Sequence, residues 1–110
     1  MTQAVCYDTW QSQITYSPNG PQPRILMADE AAKVIMAGLE PGQRIPEHPE
    51  AAAVYHFLDG RGTMLVDGEP HAVAGGTTIV MPPGTVRGLV AETRLAFLAV
   101  RIAAAAAGNG

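Results

Sequence analysis

Short apolar runs separated by turn residues follow one another along most of this chain, most regularly after residue 50. Runs of four to nine residues rich in β-branched or aromatic side chains, bounded by Gly, Pro or Asp, are typical of strands. The pattern predicts strands over 24–27, 33–39, 51–58, 63–66, 69–73, 77–81, 86–90 and 94–102. Asp67-Gly68 is a two-residue hairpin signal, because glycine accepts a positive φ at little cost. Strands this short and evenly spaced predict an all-β sandwich or barrel.

The two ends of the chain are less regular than its middle. Residues 1–23 are rich in polar residues and contain a turn with two prolines and a glycine, so we expect an N-terminal arm or a peripheral strand there. Such an arm could also cross to a second subunit. Residues 24–102 form the predicted barrel, and the alanine-rich tail 103–110 is expected to be disordered.

Length and composition predict a single small domain and argue against several classes of function. A length of 110 residues suffices for a single core, and 12 glycines and 9 prolines suit a turn-rich β protein. The net charge of −3, with scattered Arg and Lys, predicts no nucleic-acid binding. No apolar run approaches the ~20 residues that span a bilayer, and no secretory signal is seen. We expect a cytoplasmic protein without membrane partners, and the lone Cys6 permits no internal disulfide.

Most of the candidate chemistry lies between residues 41 and 62. His48 and Glu50 are two residues apart, and in an extended chain such residues project from the same face. Pro46 and Pro49 remove two backbone donors beside them, which predicts a position at a sheet edge or a barrel mouth.

The spacing of glycines and prolines around this stretch resembles the two signature motifs of the small single-domain cupins. The first motif is a glycine, five residues, His-x-His, a glutamate and a later glycine; the second contains glycine, five residues, Pro-x-Gly and a histidine. Six residues match these motifs in position: Gly42, His48, Gly60, Gly76, Pro82 and Gly84. The resemblance covers about residues 33–102 and implies a small double-stranded β-helix barrel of the jelly-roll type. It also implies a homodimer, in which an outward apolar residue of the last strand, Phe97 or Leu98, would be covered.

The ligand positions of these motifs depart from the family pattern. In metal-binding cupins three histidines and the glutamate bind a divalent metal. Here only His48 is retained, while Glu50, Ala53 and Arg87 stand at the other three positions. Arg87 offers no lone pair to a metal and stays charged. Because a metal in a protein usually needs three or four protein ligands, these departures from the family pattern predict no metal cofactor. If a divalent transition metal does bind, its ligands are expected to be His48 and Glu50.

A buried Arg87 needs a counter-charge, since burying a lone charge costs several kcal/mol. We therefore expect a Glu50–Arg87 ion pair with His48 beside it, or else an Arg87 that reaches solvent at the barrel mouth. Such a pocket would bind a small molecule that carries a carboxylate, a phosphate or several hydroxyls. Arg87 would hold the anion, while His48 and Glu50 would bind hydroxyls. Tyr55 and Phe57 are expected to face inward, as an aromatic wall or simply as core.

Three functions remain open at this point. The first is a metal-free cupin that binds a small ligand as a sensor or accessory domain. The second is a metal-dependent cupin enzyme, a dioxygenase or isomerase, with atypical ligands such as His56 or His71, although His56 is predicted to face outward and His71 to lie on the surface. The third is a metal-free enzyme in which His48 or Glu50 acts as general base and Arg87 stabilises a developing anion.

Overall fold

In the computed structural model, which describes residues 3–103, nine antiparallel strands form two sheets that enclose one core. The strands are β1 (Arg24–Ala28), β2 (Ala32–Leu39), β3 (Arg44–Pro49), β4 (Ala52–Asp59), β5 (Arg61–Val66), β6 (Glu69–Ala74), β7 (Thr78–Met81), β8 (Val86–Ala91) and β9 (Leu95–Ile102). One sheet has the order β1-β2-β9-β4-β7 and the other β3-β8-β5-β6. The predicted all-β, double-stranded β-helix fold is confirmed.

Over residues 3–103, no helix has the length and apolar character needed to cross a bilayer. The tail that was predicted to be disordered lies, from residue 104 on, outside the described residues.

Eight of the nine strands follow the sequence pattern within two residues at each end. The sequence pattern predicts no strand at β3, which pairs only with β8 and forms an edge of the four-stranded sheet. Its register shifts between Ile45 and His48, around Pro46. The shift leaves Pro46, which has no N–H to donate, out of the ladder of pairs. The predicted position of this segment at a sheet edge is confirmed.

The core lies between the inner faces of the two sheets. Alternate residues of β4 point into it: Ala53 and Phe57 are fully buried, and Tyr55 is 8% exposed. The Tyr55 ring stacks on Phe97 of β9 with a centroid distance of 5.2 Å, and Phe57 lies 6.0 Å from Phe97. Phe97 is thus a core residue, and of the two predicted candidates it is Leu98 that faces outward.

The segment before β1 packs on the outer side of β2. It contains a short 3-10 helix, Trp10–Gln13, followed by Ile14 and Tyr16, which cover Gly38 so closely that a Cβ on this glycine would lie 2.6 Å from Ile14 Cγ2. The Arg94 guanidinium lies over the Tyr16 ring at 4.6 Å from its centroid, a cation–π contact. These contacts anchor the segment to the barrel.

Candidate functional site

Two strands of the four-stranded sheet bring His48 and Arg87 together. The two residues are direct partners in the antiparallel pair of β3 and β8. Side chains at such positions lie on the same face of the sheet with Cβ atoms about 5 Å apart. Glu50 follows β3 in the loop to β4, and Tyr55 lies on β4 of the other sheet. The predicted site residues therefore meet at one end of the barrel, with Phe57 deeper in the core.

Arg87 is the largest fully buried side chain, with 1% of its surface exposed. Its Nε donates to the carbonyl oxygen of Thr85 at 3.2 Å. Its Nη2 donates to the carbonyl oxygens of Glu50 at 3.3 Å and Ala51 at 2.8 Å. The remaining nitrogen, Nη1, is buried and has no hydrogen-bond partner among residues 3–103. Arg87 thus points into the barrel rather than to solvent, with one donor unsatisfied.

In the part of the chain that the structure describes, the predicted ion pair between Glu50 and Arg87 is not formed. The Glu50 carboxylate instead accepts a hydrogen bond from Arg101 Nη1 at 3.1 Å, and His48 Nε2 lies 3.5 Å from the same oxygen. Partial burial raises the pKa of Glu50. The hydrogen bond from the N–H of Ala51 and the nearby positive charges lower it by more than burial raises it, so the pKa is below its usual value. The ion-pair partner of Glu50 is therefore Arg101, which lies on β9 of the five-stranded sheet.

Within residues 3–103, the Arg87 guanidinium has no carboxylate as a direct partner. Among the described residues, no Asp or Glu oxygen lies within 4.0 Å of its guanidinium nitrogens. Carbonyl dipoles solvate part of the charge, yet an uncompensated buried ion still costs several kcal/mol. The interior at this end of the barrel is therefore a positive site with a free donor, which suits an anion.

Two further cations at the barrel mouth were not singled out from the sequence. Lys33 of β2 and Arg101 of β9 are partners in register, and Ala53 of β4 is the next position across the sheet. Both therefore share the inward face with Ala53, as their spacing from the buried Ile35 and Ala99 indicates. Strand parity alone was a sufficient signal to find them.

A cleft of about 180 Å³ opens beside these cations, lined among others by Asp29, Lys33, Glu50, Ala51 and Arg101. The Asp29 carboxylate accepts hydrogen bonds from two N–H groups of its own turn, at 2.8 and 3.0 Å, and these lower its pKa. Glu50 is bound to Arg101. Lys33 forms no ion pair within 4.0 Å in residues 3–103. The ammonium of Lys33 is thus free to bind a ligand in the cleft.

His48 has a defined proton arrangement. Its Nδ1 lies 2.8 Å from the carbonyl oxygen of Pro46, and because a carbonyl only accepts, Nδ1 carries the proton. In the neutral ring, Nε2 then has a free lone pair that faces the Glu50 carboxylate. This nitrogen can accept a hydrogen bond from a hydroxyl group.

The two predicted aromatic residues differ in their access to the site. Burial raises the pKa of Tyr55, while the charges of Arg87 and Arg101 and a weak polar contact between the Tyr55 hydroxyl and the Arg87 guanidinium oppose this effect, so the phenol remains protonated and lies close to both cations. Phe57 is 0% exposed and packs in the hydrophobic core. Tyr55 can therefore present a hydroxyl to a ligand, whereas Phe57 packs in the core and does not line the site.

The donors present do not fit the divalent metal that the family pattern implies. His48 and Glu50 supply two ligand atoms, and a guanidinium stands where the third ligand would be. His56 is hydrogen-bonded to a threonine hydroxyl at 2.7 Å on the outward side of β4, and His71 is exposed on β6. Within residues 3–103, no three His, Cys, Asp or Glu side chains are placed to hold one ion. Neither of the alternative histidines completes the set.

The fold and the motif residues define the class of protein: a small double-stranded β-helix barrel that retains one of the metal-ligand histidines. A family model described as the cupin domain matches residues 35–101, and the chain belongs to the cupin family. No curated protein sequence matches it significantly.

Solved structures show the same fold. A conserved protein of unknown function from Streptococcus pyogenes is 26% identical, with a TM-score of 0.83 over 96% of this chain and 93% of that one. An RmlC-like cupin from Desulfovibrio desulfuricans is 20% identical, with a TM-score of 0.76 over 93% and 96%. Salicylate 1,2-dioxygenase from Pseudoaminobacter salicylatoxidans, solved as adducts with gentisate, is 17% identical with a TM-score of 0.70 over 78% of this chain and 25% of that one.

Proposed function

We propose that this cupin binds a small anionic or polyhydroxylated molecule at the barrel mouth without a metal ion. The observation that carries the proposal is Arg87 Nη1, a buried cationic donor that has no hydrogen-bond acceptor among residues 3–103. Hydrogen bonds between a guanidinium and a carboxylate or phosphate are among the strongest in proteins. The ligand would supply the acceptor and the negative charge that the described residues do not provide.

The neighbouring groups suit the rest of such a ligand. His48 Nε2 would accept a hydrogen bond from a ligand hydroxyl, and the Glu50 carboxylate would accept another. The Tyr55 hydroxyl would donate to the bound anion.

Thermal-shift and calorimetric titrations with acetate, phosphate and glycerol test this proposal. At ten times its Kd a ligand stabilises the folded state by about 1.4 kcal/mol, a rise in Tm of roughly 5 °C or more for a domain of this size. We expect an anion to produce this rise in the wild type and in Arg44→Met, which removes an exposed arginine, but not in Arg87→Met. Tyr55→Phe, which keeps the ring stacking, should weaken binding without loss of folding. Equal shifts in the wild type and in both site variants would contradict the proposal.

A metal-dependent cupin enzyme, a dioxygenase or isomerase with an atypical ligand set, is the second candidate. The observation that favours it is the 2.8 Å contact between His48 Nδ1 and the carbonyl oxygen of Pro46, because histidines that bind metals usually donate their other N–H to a carbonyl or carboxylate. The metal would then have His48 and Glu50 as its protein ligands. Arg87 argues against it: its positive charge opposes that of the metal.

We also propose that the protein forms a homodimer through the outer face of the five-stranded sheet. Four valines occupy one row of register positions across β2, β9, β4 and β7: Val34, Val100, Val54 and Val80. Val80 is 73% exposed, and a second copy would cover this apolar row. Light scattering should report a dimer for the wild type and a monomer for Val80→Glu, with unchanged circular dichroism. A wild-type monomer would contradict this.

A further inference from the structure

We propose that the ligand carries two acidic groups, one bound by the buried Arg87 and the other by Lys33 and Arg101 in the mouth cleft. This inference rests on the proposed function and extends it to a substrate class, the short dicarboxylates and related dianions. Neither mouth cation belongs to the family's ligand positions, and neither is explained by the core.

The two guanidinium groups lie close to each other because both contact one residue. Arg87 Nη2 binds the carbonyl oxygen of Glu50, and Arg101 Nη1 binds its carboxylate. The distance from Arg87 Nη2 to Arg101 Nη1 therefore cannot exceed the distance between the carbonyl and carboxylate oxygens of one glutamate plus the two hydrogen-bond lengths. A short dicarboxylate has its own acidic groups at a comparable spacing, so one molecule can contact both.

Two of the three cations at this end of the barrel, Arg87 and Lys33, have no carboxylate oxygen within 4.0 Å among the described residues, which favours a dianion over a monoanion. The third, Arg101, is bound to Glu50. Asp29 also lines the cleft, where its Oδ1 accepts both N–H groups of its turn and its carboxylate forms no ion pair with Lys33. A second acidic group in the cleft would pair with Lys33, which has no ion pair among the described residues.

The size of the cleft limits the outer part of the ligand, because Arg87 lies inside the barrel and is not one of the residues that line the cleft. A volume of about 180 Å³ holds an acidic group and a few carbon atoms. The remaining wall consists of alanines, namely Ala32, Ala51 and Ala103, which leave no room for specific recognition of a large group. We therefore expect a compact chain of a few carbons between the two acidic groups rather than a nucleotide or a sugar polymer.

Calorimetry with acetate, malonate, succinate and glutarate tests the inference. We expect at least one dicarboxylate to bind the wild type ten times more tightly than acetate or better. Lys33→Met should remove this gain and leave the acetate affinity unchanged, whereas Arg24→Met, on the neighbouring β1, should change neither. Arg101 is left intact, because its loss would also release Glu50.

A second readout does not depend on a variant. Lys33 is the only lysine of the chain, so the labelling of its peptide by an amine-reactive reagent, followed by mass spectrometry, reports on this side chain alone. Saturating dicarboxylate should slow this labelling at least fivefold, and acetate should not. If acetate binds through Arg87 but no dicarboxylate binds better or protects Lys33, this inference fails while the proposed function stands. If no carboxylate binds and neither phosphate nor glycerol binds, the proposed function itself fails.

Discussion

Replacing Arg87 by histidine should create a metal site where the family pattern has one. The imidazole would stand opposite His48 in the register of β3 and β8, with Glu50 as the third ligand. Three protein ligands are the number that a catalytic zinc commonly has. The same change removes the cation that opposes a metal. We therefore expect Arg87→His to bind zinc and the wild type to bind it only weakly.

The magnitude follows from the cross-strand spacing. A unit charge about 5 Å from a divalent ion, at an effective dielectric constant near 20, raises the free energy of the bound metal by about 7 kcal/mol. Removing this repulsion corresponds to roughly a 10⁵-fold gain in affinity, before the new ligand is counted. Competition from Arg101 for the Glu50 carboxylate reduces the gain, and we expect a Kd for zinc at least a thousandfold lower than that of the wild type.

Isothermal titration with zinc measures both dissociation constants. Arg44→His is the matched control, because it adds an imidazole at an exposed position on the same edge strand and leaves Arg87 in place. Circular dichroism and urea unfolding should precede the titration, since the variant loses the hydrogen bonds that Arg87 makes to three carbonyls. A folded Arg87→His variant that binds zinc no better than Arg44→His would refute the assignment of this position as the displaced metal ligand.

Three further predictions concern stability and are checked by urea unfolding. Gly38→Val should destabilise the protein by about 1–3 kcal/mol, because the new side chain collides with Ile14 and displaces the N-terminal segment; an unchanged midpoint would show that the segment does not pack there. Gly60→Ala should cost several kcal/mol, since its Cβ meets a backbone carbonyl, whereas Gly42→Ala, with a similar positive φ but open space, should cost only about 1–2 kcal/mol; equal costs would contradict the steric argument. The folded-state pKa of Glu50 lies below its unfolded value, so its contribution is present above the unfolded pKa and is lost as the pH falls through the folded pKa. Glu50→Gln should therefore lose less stability than the wild type on acidification below about pH 5, and parallel losses would contradict this.

The positions of the strands along the chain were predictable because turn residues and β-branched runs alternate so regularly. The exception is β3, whose two prolines and lack of an apolar alternation hide a strand. This segment pairs with β8 at the positions on either side of Pro46, where the backbone groups remain available. Hydrophobic periodicity does not reveal a strand whose place in the sheet depends on its pairing at the edge.

The burial of Arg87 was also predictable, because its place in the second motif fixed its face. The partner of Glu50 was predicted wrongly, since the choice between two cations depends on how the sheets close. Arg101 comes from the last strand, distant in sequence, and reaches Glu50 across the barrel mouth. Local spacing shows which face a side chain occupies, but it does not show which of two guanidinium groups arrives closer to the carboxylate.

The central claim is that a guanidinium has replaced the metal of the cupin site, so that the barrel binds its ligand through charge and hydrogen bonds. Elemental analysis of the full-length protein, purified without chelators from cells grown with added iron, manganese, nickel and zinc, tests it most directly. We predict metal contents far below one ion per chain, unchanged in Glu50→Gln. One equivalent of a transition metal that is lost in His48→Ala and in Glu50→Gln would contradict the claim.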